Sequence, residues 1–101
     1  MSDRLNLQAT FETILGSRNV YFQPPQSVKI NYPAIVYYRK NIESKYADNG
    51  AYITTPAYEA MLIDKNPDSP FIEKILAIPY CSFDRHYTAD NLNHDVFVIY
   101  N

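Results

Sequence analysis

The chain has 101 residues, 47% hydrophobic and 15% aromatic, with ten Tyr, no Trp, a formal net charge of -2 and a pI of about 5.5. That length fits one domain able to bury roughly 65% of its unfolded surface, and the composition excludes a disordered chain. The acidic balance, with no basic run longer than Arg39-Lys40, excludes a protein that holds nucleic acid by neutralising phosphates.

Tyr is amphipathic, so its abundance suits contact surfaces as well as cores. The lone Cys81 rules out an internal disulfide framework and suits a reducing cytoplasm. Met1-Ser2-Asp3-Arg4-Leu5-Asn6 lacks the charged start and apolar core of a signal peptide. No apolar run approaches the roughly 18 residues of a membrane span. The expectation is a soluble, unexported chain.

In chain order, Ser2 or Asp3 can cap a first helix in which Leu7, Phe11, Ile14 and Leu15 fall along one stripe, with Gly16 as the C-terminal stop. Its other side, carrying Arg4, Gln8 and Glu12, reads as a solvated face. Val20-Tyr21-Phe22 is a short strand ended by Gln23-Pro24-Pro25, a stiff corner or, alternatively, a ligand for a polyproline groove. Residues 27–32 alternate weakly. Pro33 then introduces Ala34-Ile35-Val36-Tyr37-Tyr38, apolar on both faces and expected to be a central strand.

Residues 39–56 turn polar and exceed the usual connection of about 4–6 residues. They read as an excursion from the sheet that touches a partner, or as a plain surface flap. Ala57-Tyr58-Glu59-Ala60-Met61-Leu62-Ile63 is a further strand, followed by the turn cluster Asp64-Lys65-Asn66-Pro67-Asp68-Ser69. Ser69-Pro70 opens a helix with Ile72, Ile75 and Leu76 as its stripe, until Pro79 forbids continuation. At about two turns this helix must pack on the sheet to persist.

The last quarter reads as an antiparallel hairpin around Ala89-Asp90-Asn91-Leu92-Asn93. Facing Thr88 with Leu92 sets Phe83 opposite Phe97, Cys81 opposite Ile99 and Arg85 opposite Asp95. That register leaves Asp84, His86 and His94 on the other face, with His86 across from His94. A register shifted by one would set Arg85 against Val96. Altogether residues 1–101 are expected to form one α+β domain. It would be a mostly antiparallel sheet of four to five strands packed against an N-terminal helix and a second short helix.

No catalytic, cofactor or metal signature stands out. On a regular strand Cys81 and His86 point to opposite faces and cannot form a nucleophile and base pair. His86, His94 and Asp84 could converge on a metal, but nothing in their spacing singles one out, and cross-strand polar packing is the plainer reading. The two glycines do not make a phosphate-binding loop. A small sheet leaves edges that are either protected or paired with another chain, so self-assembly is the economical reading.

Three stretches resemble one family in their wording: Leu15-Gly16-Ser17-Arg18-Asn19-Val20-Tyr21-Phe22-Gln23-Pro24-Pro25, Tyr32-Pro33-Ala34-Ile35-Val36-Tyr37 and Ile63-Asp64-Lys65-Asn66-Pro67-Asp68-Ser69. Above all there is the run after Pro79, Tyr80-Cys81-Ser82-Phe83-Asp84-Arg85-His86-Tyr87-Thr88-Ala89-Asp90-Asn91-Leu92-Asn93-His94-Asp95-Val96-Phe97. Together they resemble the small tail terminator, or tail completion, proteins of long-tailed bacteriophages, the match being weakest over residues 39–55.

The resemblance implies a virion protein without enzymatic activity or cofactor, assembled in the bacterial host cytoplasm. It would form a ring, expected to be a hexamer, on the head-proximal end of the tail tube. Its implied partners are further copies of itself, the major tail tube protein and the head-tail connector proteins, with DNA passing through the lumen and no membrane. An acidic lumen would not trap the phosphate backbone. Asp84, Arg85, His86, His94 and Asp95 are expected to make polar contacts within or between subunits. Arg39, Lys40, Lys45 and Tyr46 would face a neighbour, the tube or the connector. The alternatives are a head-side connector or stopper protein and a non-virion binding module that regulates a partner.

Overall fold

A computed structural model describes residues 3–43 and 54–100. In chain order it has α1 (Asp3–Leu15), β1 (Val20–Phe22), β2 (Ala34–Glu43), β3 (Thr54–Asp64), α2 (Phe71–Leu76), β4 (Cys81–Ala89) and β5 (Leu92–Tyr100). The five strands form one sheet in the order β1-β2-β3-β5-β4, with only β1 and β2 parallel. This is the expected α+β arrangement, a mostly antiparallel sheet with an N-terminal helix and a second short one. Because parallel neighbours cannot be joined by a tight turn, the chain crosses from β1 to β2 through residues 23–33. That segment holds no strand, so the weak alternation of residues 27–32 does not mark one.

Strand residues alternate between two faces, and the registers sort them. Val20, Ile35, Tyr37, Tyr58, Ala60, Leu62, Phe97 and Ile99 fall on one face and join Leu7, Phe11 and Leu15 of α1 and Ile75 of α2 in a continuous buried cluster. Fully burying a side chain of this size stabilises the fold by about 1.5–3 kcal/mol, which is what holds a six-residue α2 in place. Both helices therefore lie on this face, called here the covered face. The opposite, open face carries Tyr38, Lys40, Glu59, Met61, His94 and Val98, with Ala34, Val36, Ile63 and Val96 buried among them.

The α1 stripe packs as expected, and Gly16 ends the helix at φ +71, a backbone region that costs glycine little. Asp3 already lies within the helix, and Ser2 falls outside the described residues. The flank read as solvated is not. The Gln8 Oε1 accepts the Tyr37 hydroxyl at 2.5 Å, and its Nε2 donates to the Val20 carbonyl at 3.2 Å and to Glu12 at 3.0 Å. Arg4 sits 4.7 Å above the Phe22 ring. The cause is Tyr37, fully buried in a ring cluster with Phe11, Phe22 and Tyr58. A buried phenol needs a partner, and this flank supplies it.

Three further expectations change. α2 starts at Phe71 with Pro70 before it; Ser69 is buried, its Oγ accepting the Phe71 amide at 3.3 Å. Leu76, expected in the stripe, is 41% exposed, because the short helix ends there and only Ile75 is fully buried. Residues 39–56 are not wholly an excursion. β2 runs on to Glu43 and β3 begins at Thr54, paired from Arg39 opposite Tyr58 to Glu43 opposite Thr54. The last three pairs have no third strand on either side among the described residues, since β1 ends opposite Tyr37 and β5 ends opposite Ala57. Pro56 falls in this outer, two-stranded part of the described sheet, where proline is better tolerated than in a central strand.

Candidate functional site

The β4–β5 hairpin turns on Asp90 and Asn91, both in the left-handed region at φ 54 and 62. Ala89 faces Leu92, so the loop has two residues and the geometry of a type I′ turn, whose twist matches that of the strands. Asp and Asn tolerate that region better than most side chains. The expected loop, with Thr88 opposite Leu92, was one residue longer. At the base of the hairpin the expected pairs hold, with Phe83 opposite Phe97 and Cys81 opposite Ile99, the two phenyl rings meeting edge to face at 5.7 Å. A β-bulge between Phe83 and Arg85 absorbs the difference.

The bulge redistributes the candidate residues. Arg85 faces Val96 rather than Asp95, and its guanidinium bonds the neighbouring Asp84 carboxylate instead. His86 faces Asp95 on the covered face, its Nε2 lying 3.3 Å from Asn93 Oδ1. His94 is on the open face, where Tyr87 faces it and stacks on its ring at 4.7 Å. The expected pairing of His86 with His94 is therefore not made, and neither is the ion pair of Arg85 with Asp95. Asp95 is 5% exposed, so its contacts lie inside the subunit. Burial raises its carboxyl above the usual value of 3.8, while His86 and His94 pull it back down and Asp64 adds to the rise.

The bulge also reverses the parity argument about Cys81 and His86, which now share the covered face. They still do not meet. Their partners Ile99 and Asp95 are four residues apart on β5, a separation of roughly 13 Å. Burial pushes the Cys81 thiol up to about 11, so it is not a thiolate at neutral pH. Among the described residues no group of three or more His, Cys, Asp or Glu gathers as a metal site would require.

The other candidates stand apart from the hairpin. Arg39 is exposed just past the end of β1, its amide donating to Gln23 Oε1 at 3.1 Å. Lys40 lies on the open face, 3.8 Å from Glu59. Lys45 and Tyr46 fall outside the described residues. The candidates are thus spread over a bulge, two faces and the root of a β-ribbon, and do not form one site. No described helix is long and apolar enough to cross a membrane.

Two surface features escaped the sequence reading. One is the aromatic stretch of the open face, where Tyr87 also donates its hydroxyl to Met61 Sδ at 3.4 Å and Tyr38 is half-exposed. The other is Tyr80. The Cys81 amide donates to the Ile78 carbonyl at 3.2 Å, closing a turn with Pro79 second and Tyr80 third, and Tyr80 has φ +61. That is the pattern of a type II turn, whose third position favours glycine or asparagine. The signal was present as Pro-Tyr where Pro-Gly would be ordinary. Tyr80 is 80% exposed and edges an open cleft of about 270 Å³ between α1 and the start of β4, lined also by Leu7, Thr10, Ile78, Pro79 and Ile99. Comparison of the chain with models of known protein families finds no match, and comparison with curated proteins finds none either.

Proposed function

We propose that this chain is a structural subunit of a phage tail, closing as a ring of copies on the head-proximal end of the tail tube. There it stops tube polymerisation and offers the filled head a surface to join, with no bond-making of its own. The observation that carries this reading is the wording of residues 80–97, which resembles that of tail terminator proteins. The architecture supports it in a general way. Exposed tyrosines, a sheet face without a helix layer and a projecting ribbon are suited to contacts between proteins. Cys81 and His86 are separated along the hairpin, and Asp95, opposite His86, is buried inside the subunit. The test is a phage lacking this chain. Filled capsids beside overlong, unjoined tails are expected. Leaking capsids would instead indicate a head-side stopper, and normal virions would remove the protein from assembly altogether.

A further inference from the structure

The tip of the β4–β5 hairpin fixes where its two histidines carry their protons. A carbonyl oxygen can only accept, so the His94 Nδ1, 3.2 Å from the Leu92 carbonyl, holds its hydrogen there, and the ring stacks on Tyr87 on the open face. His86 is fixed through Asn93. The Asn93 Nδ2 donates to the Asp64 carbonyl at 3.3 Å and the Lys65 carbonyl at 3.1 Å, which orients the amide and leaves its Oδ1 as an acceptor. The His86 Nε2, 3.3 Å from that oxygen, is therefore the donor. Its Nδ1 is left as the atom that takes up the second proton when the ring becomes charged.

Across the strand pair from His86 is Asp95, 5% exposed, and among the described residues none donates a hydrogen bond to its carboxylate. Asn93 and Asp95 lie two apart on one face of β5, roughly 7 Å along the strand, so an imidazole facing them can span both. A neutral Nδ1 shows the carboxylate a lone pair, whereas a protonated one shows it a charged donor. Among the described residues no other cation is engaged with that carboxylate. His94 is on the other face, Arg85 is taken up by Asp84, and Lys65 and Asp68 after β3 and Glu73 and Lys74 of α2 are exposed. Asp64, opposite Asn93, adds a second acid beside the pair. Burial raises the Asp95 carboxyl, and of the neighbouring charges His86 acts on it most strongly, in the downward direction.

We infer that protonation of His86 at Nδ1 adds a tie to Asp95 beside the one to Asn93, fastening the outer half of edge strand β4 more firmly as pH falls. The inference is independent of the ring reading above. Nitrogen chemical shifts of His86 at pH 8 should show the hydrogen on Nε2. His86→Ala, Asp95→Asn and the double variant close a double-mutant cycle, read by amide hydrogen exchange of residues 85–88. The coupling is expected to be roughly two- to fivefold in the opening equilibrium at pH 5.5, the size of an ion pair with one exposed member, and absent at pH 8. His86→Ala removes an exposed side chain, so that variant should fold, and in it the Asp95 carboxyl, followed by carbon chemical shift, should titrate higher than in wild type. Coupling of equal size at both pH values or at neither, an unmoved Asp95 titration, or a His86 hydrogen on Nδ1 at pH 8 would each overturn the inference.

Discussion

The base and the tip of the β4–β5 hairpin obey different rules. At the base, register follows burial: Phe97 is fully buried and Phe83 packs on it edge to face. At the tip, register follows the turn, because Asp90 and Asn91 both accept the left-handed region and close a two-residue loop. The two rules disagree by one residue, and the bulge at Asp84 lets both be satisfied. Extending the base pairing outward gives the wrong partner for every residue from Arg85 to Thr88. Cross-strand pairing is therefore local information, reliable only up to the next irregularity.

The largest expected effect comes from breaking the base. Phe97→Ala should cost about 3–5 kcal/mol, read by denaturant unfolding; a loss below about 1 kcal/mol would mean that burial does not set the base register. Between base and tip lies Asp95. Its folded carboxyl titrates above 3.8, so between 3.8 and that raised value the native state binds more protons than the unfolded chain. Its contribution to stability is present below 3.8 and is lost as pH rises through the folded value. Wild type should accordingly gain stability relative to Asp95→Asn as pH falls through that window, and a flat difference between the two unfolding curves would contradict the assignment.

Removing Asp84 leaves Phe83 followed by Arg85, which makes the ladder regular without moving any other pair. The change is expected to cost about 1 kcal/mol or less, with cross-strand nuclear Overhauser contacts of His86 to Asp95 and Tyr87 to His94 retained. Sliding of the tip pairs would show that the bulge, and not the turn, dictates them. The smallest effect is Asn91→Gly, which relaxes the second left-handed position and should raise stability by about 0.5 kcal/mol. A fall in thermal midpoint would argue that the Asn91 side chain holds the turn.

The order and type of the elements were legible because their signals are local: the Leu7, Phe11, Leu15 stripe ending at Gly16, the two-sided apolar run at Ala34, and the proline that halts α2. What was not legible depended on something distant. The polar flank of α1 looked solvated because its partner, the Tyr37 hydroxyl, lies 29 residues from Gln8. The outer halves of β2 and β3 hid because their sequences are mostly polar and carry no apolar alternation from which a strand could be read. The bulge had no signal, since a single extra residue changes no composition. Of the candidate site, the hairpin's residue types could be read but not their faces, and Tyr80 was passed over because an aromatic in a turn leaves no periodic trace.

The ribbon formed by Asn41–Pro56, Ile42–Thr55 and Glu43–Thr54 reaches roughly 10 Å beyond the end of β5. It acts as a cantilever whose anchorage is the strand pair that also carries Ile35, Tyr37, Ala60 and Leu62 through the core. A load applied at its outer end is thus delivered into the most deeply braced part of the molecule instead of being dissipated in a hinge.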